Sequence, residues 1–235
     1  PLHHNDVDFF KYTSREIARQ LTVIDFFDFF ARIQSSELLE QCWTKKNKET
    51  LAPNVLRFIR RFNMGAEWVA AEILRAESHD MRVSKAEKFV EVANECAILG
   101  NYNGVLMVLS AINSNPIFRL KTIWQGAGRS KGLRSISSRH ADMLENLREA
   151  TSREKNGVAL RQTIADHPRP KIPFLGLYLT DLTFIDDGVG DFLDKKEERL
   201  HNFSKCMLTY RSVKEVLDMQ QVPYRITPVL ELMSW

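Results

Sequence analysis

No apolar run in this chain approaches the roughly 18 residues needed to cross a bilayer, and no charged-apolar-small signal pattern opens it. The expectation is a soluble domain. Cysteine is also scarce. Cys42, Cys96 and Cys206 are three in number, far apart and set in helical-looking sequence. That excludes a disulfide framework and a zinc site and fits a reducing cytosol. Neither sign of charge is in large excess: 33 lysines and arginines face 30 acids, and the pI near 8.8 describes a nearly balanced surface without the bias of a nucleic-acid binder. Catalytic signatures are missing as well, since no nucleophile elbow, phosphate loop, dinucleotide fingerprint or metal-spaced histidine pair occurs. His3-His4 at the terminus reads as a frayed end. What remains is 235 residues with 44% hydrophobic content, enough for one large domain with a sizeable core.

Helix signals dominate. Thr13-Ser-Arg-Glu16 has capping-box spacing, and Ile17, Leu21 and Ile24 share one face, which predicts a helix from about Ser14 to Ala31. Its end carries Phe26, Phe27, Phe29 and Phe30, read as core. Pro53 stands where a second long helix begins, carrying Val55, Phe58, Ile59, Phe62, Val69 and Ile73 at helical spacing. Ser84-Lys-Ala-Glu87 is read as a capping box before Phe89, and Gly100 as a left-handed terminator followed by a tight connection over Asn101–Asn103. After the apolar run Gly104–Ile112, Pro116 breaks the helix, and Arg119 in its apolar neighbourhood is read as a clamp on helix-end carbonyls. From Arg119 to His140 six basic residues and no acid occur, with Gly126, Gly128 and Gly132 among them. This stretch reads as a solvated loop, with an anionic-membrane patch as the sharper alternative. Two shorter helices, about Arg139–Ala150 and Glu154–Ala165, lead to the proline-rich joint His167–Pro173.

The segment Pro173–Gly188 is nearly uncharged until it ends in Asp186-Asp187-Gly188, an apolar stem with an acidic tip. Adjacent helical residues point about 100° apart, so the two aspartates are poor partners for one substrate atom and are expected to act one at a time. Beyond Asp191, Asp194, Glu197 and Glu198, a long amphipathic helix runs from about Arg199 to Gln220, and Pro223 ends it. Two helices joined by an acidic turn make an antiparallel hairpin; strands are called for nowhere with comparable strength, so the fold class is all-α.

Six stretches resemble the catalytic domain of Ras-family guanine-nucleotide exchange factors of the Son-of-sevenless type. They are Glu16-Ile-Ala-Arg-Gln-Leu-Thr22, Cys42-Trp-Thr-Lys-Lys46, Asn101-Tyr-Asn-Gly-Val-Leu106, Ser110-Ala-Ile-Asn-Ser114, Phe118-Arg-Leu120 and Pro173–Asp186, in order within about Thr13–Pro228. The resemblance implies a single bowl-shaped helical domain over 13–235 after a polar lead-in at 1–12, with a protruding hairpin over about 174–220. The accessory exchanger-motif domain that usually precedes such a domain is not matched, which leaves the lead-in alone before it. It further implies a cytoplasmic protein brought to membranes only through a lipidated Ras, Rap or Ral type GTPase. GDP, GTP and magnesium belong to that partner, no cofactor or metal belongs to this chain, and catalysis is non-covalent.

Residue by residue, the resemblance places Thr183 and Asp187 on the hairpin face turned toward the partner's magnesium and α-phosphate. Ile59, Arg60, Leu106, Asn113 and Phe174 fall in a groove that grips the second switch. From pattern alone Ile59, Leu106 and Phe174 are core positions. The chain departs from the family at the tip, where Asp187-Gly188-Val189 replaces the commoner Glu-Gly-Asn, and at Cys206-Met207, where a basic pair is usual. A groove tyrosine often found near Asn156-Gly157 is missing. A GTPase-binding module with weak or no exchange is therefore the alternative.

Overall fold

Thr13 opens the first helix as expected: its hydroxyl accepts the Glu16 N–H at 3.1 Å and caps α1 (Ser14–Val23). The computed structural model describes residues 9–124, 133–193 and 200–233. His3 and His4, the glycine-rich centre of the basic stretch, and Asp194, Glu197 and Glu198 lie outside the described residues. Beyond Val23 the single helix expected to Ala31 gives way to a wide π-helical turn, Ile24–Phe29, and a 3₁₀ turn, Phe30–Arg32. That change of pitch redirects the aromatic cluster: Phe26 and Phe30 are buried, Phe29 is half-buried and Phe27 reaches the surface, so not all four are core. A buried polar network holds the turn. Asp25, wholly enclosed, accepts hydrogen bonds from Arg61 at 3.1 Å and from Asn101 and Asn103 at 3.3 Å each.

A second 3₁₀ turn, Ser35–Leu38, and the short α2 (Lys48–Leu51) lead to α3 (Pro53–Leu74), which begins at Pro53 as read from the sequence. Ala52 offers no side chain to its first N–H groups. Glu37 supplies the cap from 17 residues upstream, its carboxylate accepting from Asn54 N at 2.7 Å and Val55 N at 3.0 Å. Helix α4 (His79–Ile98) is capped by Ser78, so the expected box at Ser84–Glu87 lies inside the helix. The i,i+3 spacing that suggested a cap also puts Ser84 and Glu87 on one face. There they accept from Arg134 at 2.9 and 2.5 Å, and Glu87 also accepts from Ser137 N at 2.9 Å.

Gly100 terminates α4 with φ +72°, where an added Cβ would meet His167 at 2.7 Å. Helix α5 (Tyr102–Ile112) follows at once, with Asn101 accepting from Gly104 N at 2.8 Å, so Asn101–Asn103 opens a helix and is not a free connection. Two four-residue helices, α6 (Asn115–Phe118) and α7 (Lys121–Trp124), come next. Ile117 and Ile123 face inward, which leaves Arg119 exposed on the opposite side; the carbonyl clamp expected of it is made by Arg82, on Ile73 O and Ala76 O.

Helices α8 (Ser138–Ala150) and α9 (Glu154–Asp166) precede the proline-rich joint. Lys171 ties that joint to the end of α9 through Ile164 O at 2.5 Å and His167 O at 3.0 Å, and burial followed by the nearby Arg169 charge lowers its pKa. Ile172 bridges to the α4–α5 link: its N–H donates to Gly100 O, and its carbonyl accepts from Tyr102 N, both at 2.9 Å. The joint thus fixes the start of α10 (Leu175–Gly188) near the α4–α5 link.

A small antiparallel ladder of β1 (Phe192–Leu193) and β2 (Leu200–His201) connects α10 to α11 (Phe203–Gln220), and α12 (Leu230–Met233) closes against α1. Helices α10 and α11 form the expected hairpin. Tyr178 donates to Glu215 at 2.8 Å within it, and Gln220 anchors its base on Phe30 O at 2.7 Å and Ile33 O at 3.1 Å. The core lies among α1, α3, α4 and α5, with Ile17, Phe58, Phe89 and Met107 fully buried. Phe9, in the lead-in, is buried there too against Phe89 and Trp68. Helix fills almost every described element, so the domain is all-α, with one two-stranded exception.

Candidate functional site

Helices α3 and α5 approach closely because Gly65 has no side chain: a Cβ there would fall 2.1 Å from Met107 Sδ. On the side of this pair facing the start of α10, Phe62 packs against Phe174 with ring centroids 5.5 Å apart and planes tilted by 53°. Phe174 is the residue before α10 and is half-buried, as is Ile59, almost one turn from Phe62 on α3. Leu106 on α5 is 8% exposed, so the core reading describes it better than it describes Ile59 or Phe174. The Arg153 guanidinium lies 5.9 Å from the Phe174 ring centroid. Asn113, at the C-terminus of α5, is exposed and accepts from Arg148 at 3.2 Å.

Arg60 is exposed and holds Glu49 through one nitrogen, at 3.1 and 3.2 Å from its two oxygens. It also lines a depression of about 800 Å³ together with Arg32, Arg57, Arg61 and Met64, where Asp28 is the one acid among four arginines. Arg57, Arg60, Arg61 and Met64 stand at i, i+3, i+4 and i+7 and so share one side of α3. Arg61 donates to buried Asp25 through Nε, while its Nη2 is buried with no hydrogen-bond partner. The depression is basic, and a ligand or partner surface carrying carboxylates would match it.

Thirteen residues separate Phe174 from Asp187, a rise of about 20 Å along the helix. Thr183 and Asp187 share one face near the tip. The Thr183 hydroxyl donates to Leu179 O of its own helix at 2.9 Å, which leaves its methyl and oxygen on the partly exposed surface. Asp187 is exposed and accepts from Gln41 Nε2 at 2.7 Å. Asp186 is half-buried. It turns toward α11 and pairs with Lys205 at 3.5 Å, while Lys205 also reaches Asp191 at 2.7 Å. The hydrogen bond that Lys205 donates to Asp191 raises the Lys205 pKa; burial opposes it, and the charges of Asp191 and then Asp186 add to the rise.

The structure therefore divides the seven sequence-selected residues. Ile59, Arg60, Leu106, Asn113 and Phe174 are distributed over α3, α5 and the start of α10, and Thr183 and Asp187 sit at its far end. Pattern reading missed the exposed apolar residues that extend both regions: Met64 at 65% and Phe118 at 62% near the first, Phe184 at 66% and Phe203 at 72% on the hairpin. Their signal was present as apolar residues out of phase with the buried stripe of their own helices. Among the described residues no cluster of histidine, cysteine, aspartate and glutamate is grouped as a metal site, and no helix is long and apolar enough to cross a membrane.

The RasGEF domain model matches residues 16–207. Ras-specific guanine nucleotide-releasing factor 1 of Rattus norvegicus is 38% identical over 220 residues, covering 94% of this chain and 17% of the relative. Ras guanine nucleotide exchange factor P of Dictyostelium discoideum is 34% identical over 221 residues, covering 94% and 14%. Factor E of the same organism is 39% identical over 189 residues, covering 80% and 18%. The chain spans less than a fifth of the length of these curated relatives. A match over most of the chain, relatives aligned along nearly all of it, and a helical body carrying a hairpin of α10 and α11 agree: the chain belongs to the RasGEF domain family.

Proposed function

We propose that this domain is a guanine-nucleotide exchange factor that accelerates GDP release from a Ras-subfamily GTPase. The observation that carries the proposal is the placement of two different surfaces at opposite ends of α10. Near Phe174 lie half-buried apolar side chains and a basic rim; about 20 Å away half-buried Thr183 and exposed Asp187 share one face. The first surface suits a grip on the second switch, with Ile59 and Phe174 at its apolar part and Arg60 and Asn113 at its polar edge. The second suits displacement of the first switch, with Asp187 facing the phosphate site and the helix body covering the metal position.

Magnitudes assign the labour. A carboxylate 4 Å from a phosphate repels it by roughly 1 kcal/mol in water and about 4 kcal/mol at a partly buried surface. If the GTPase holds nucleotide near picomolar, roughly 16 kcal/mol must be offset. Local repulsion is too small, so most of it comes from affinity for the open, nucleotide-free partner over an interface above about 2,000 Å². No bond-making step enters this mechanism, and nucleotide and magnesium are the partner's.

The test is release of a fluorescent guanine nucleotide from Ras, Rap and Ral type GTPases. At least one is expected to release roughly tenfold faster or more; no acceleration across the three would sink the proposal. The tip Asp187-Gly188-Val189 favours one second reading, a binding module without exchange. A stable complex with nucleotide-free GTPase and no faster release would select it.

A further inference from the structure

Gln41 touches Asp187 at the tip of the hairpin, and it is held there by an unusual piece of backbone. Glu40 and Gln41 both have positive φ, 49° and 51°, and the Cys42 N–H donates to Leu39 O at 3.1 Å across them. This is a tight turn with both central residues left-handed, a conformation that ordinarily selects glycine, asparagine or aspartate. Here a glutamate and a glutamine occupy it. Strain of this kind persists where surrounding contacts determine it, and such outliers cluster at working sites. Both side chains are engaged: Glu40 accepts from Lys45 at 2.8 Å, which lowers the Glu40 pKa, and Gln41 Nε2 donates to Asp187 Oδ1 at 2.7 Å.

Resting on the exchange reading given above, we infer that Gln41 is a positioning residue for Asp187. Asp187 is one methylene shorter than the glutamate usual at this point of the family, so its reach depends more on where its carboxylate is aimed. A hydrogen bond donated by the Gln41 amide to one oxygen leaves the other available and restricts the rotamer of a side chain that is otherwise exposed. The donor comes from the body of the domain and not from the hairpin, so the same bond also sets where the tip stands relative to the body. The amide is neutral and leaves the negative charge of Asp187 intact, as a lysine in its place would not.

The experiment is a double-mutant cycle on nucleotide release with the whole domain, using Gln41→Gly, Asp187→Ala and the pair. Glycine suits the left-handed turn, so Gln41→Gly removes the amide while keeping or improving the backbone. It is expected to slow release roughly three- to tenfold, as for loss of one hydrogen bond in the transition state. Thermal stability should be equal or higher, and capture of nucleotide-free GTPase unchanged. In the Asp187→Ala background it is expected to have no further effect. Gln41→Glu, which sets two carboxylates against each other, should slow release more than Gln41→Gly. Release unchanged or faster in Gln41→Gly overturns the inference, as does an equal slowing in both backgrounds, which would make Gln41 act through its loop and not through Asp187. If Asp187→Ala alone is silent, the assignment of Asp187 fails and this inference fails with it; if Asp187→Ala slows release and Gln41→Gly does not, only the inference about Gln41 fails.

Discussion

Asp187 and its neighbour show how far one position changes a side chain's role. On a helix they diverge by about 100°, and the packing of α11 assigns the difference. Asp186 is drawn inward to Lys205, and Asp187 is left at the exposed tip with one oxygen on Gln41. If the exposed carboxylate contributes repulsion of roughly 1 kcal/mol at the phosphate, Asp187→Ala slows release about fivefold. Thr183→Glu places a longer, charged side chain on the same face. It is expected to slow release about tenfold or more, and glutamate is a better helix former than threonine, so circular dichroism and melting should be preserved. Rates within a factor of two of the unmodified domain would remove both residues from the site. The i,i+4 relation of this pair was visible in the sequence; the division between Asp186 and Asp187 was not, because it depends on which of them α11 approaches.

At the scale of elements, some helix boundaries lay in local spelling and others did not. Thr13 caps α1, Pro53 starts α3, and Gly100 ends α4, each by a rule that involves its immediate neighbours. The cap of α3 is different: Glu37 reaches it from another turn and is itself 97% enclosed by relative area, at 3% exposure. Removing it leaves the Asn54 and Val55 N–H groups and the Asn54 amide without their acceptor. Glu37→Ala is expected to lower stability by about 2–3 kcal/mol, or roughly 4–10 °C in Tm for a domain of this size. A melt within 1 °C, far below that range, would show that water or another side chain replaces the cap. The segment after Val23 failed as a simple helix for a related reason: the π turn follows from satisfying Asp25 in the interior, and its donors come from α3 and from the start of α5.

For the whole molecule, the two ends of α10 predict separable defects. Groove substitutions should impair capture of nucleotide-free GTPase and release together, whereas tip substitutions should impair release and spare capture. Leu106→Glu is expected to abolish complex formation, but Leu106 is nearly buried, so part of that loss would be instability. Ile59→Asp is the cleaner probe because Ile59 is half-buried. It is expected to lower capture in a pull-down by roughly tenfold or more, about the loss of an interface anchor, with little change in melting. Normal capture by a folded Ile59→Asp domain would remove the groove from the binding surface. If the depression along Arg57, Arg60 and Arg61 meets an acidic partner surface, association, more than dissociation, is expected to be sensitive to salt.

By itself the sequence determined the helical character, the position of most long helices, the hairpin and the family, because each rests on periodicity, caps or stretches of residues read in order. Tertiary structure alone decided which phenylalanines are core, that Arg119 is exposed while Arg82 clamps the carbonyls, that Glu37 caps α3, and that Gln41 meets Asp187. Periodicity specifies a face relative to a helix's own axis and carries no information about what stands opposite. Gln41 and Asp187 are 146 residues apart, and only the packing of the hairpin against the body brings an amide and a carboxylate within 2.7 Å.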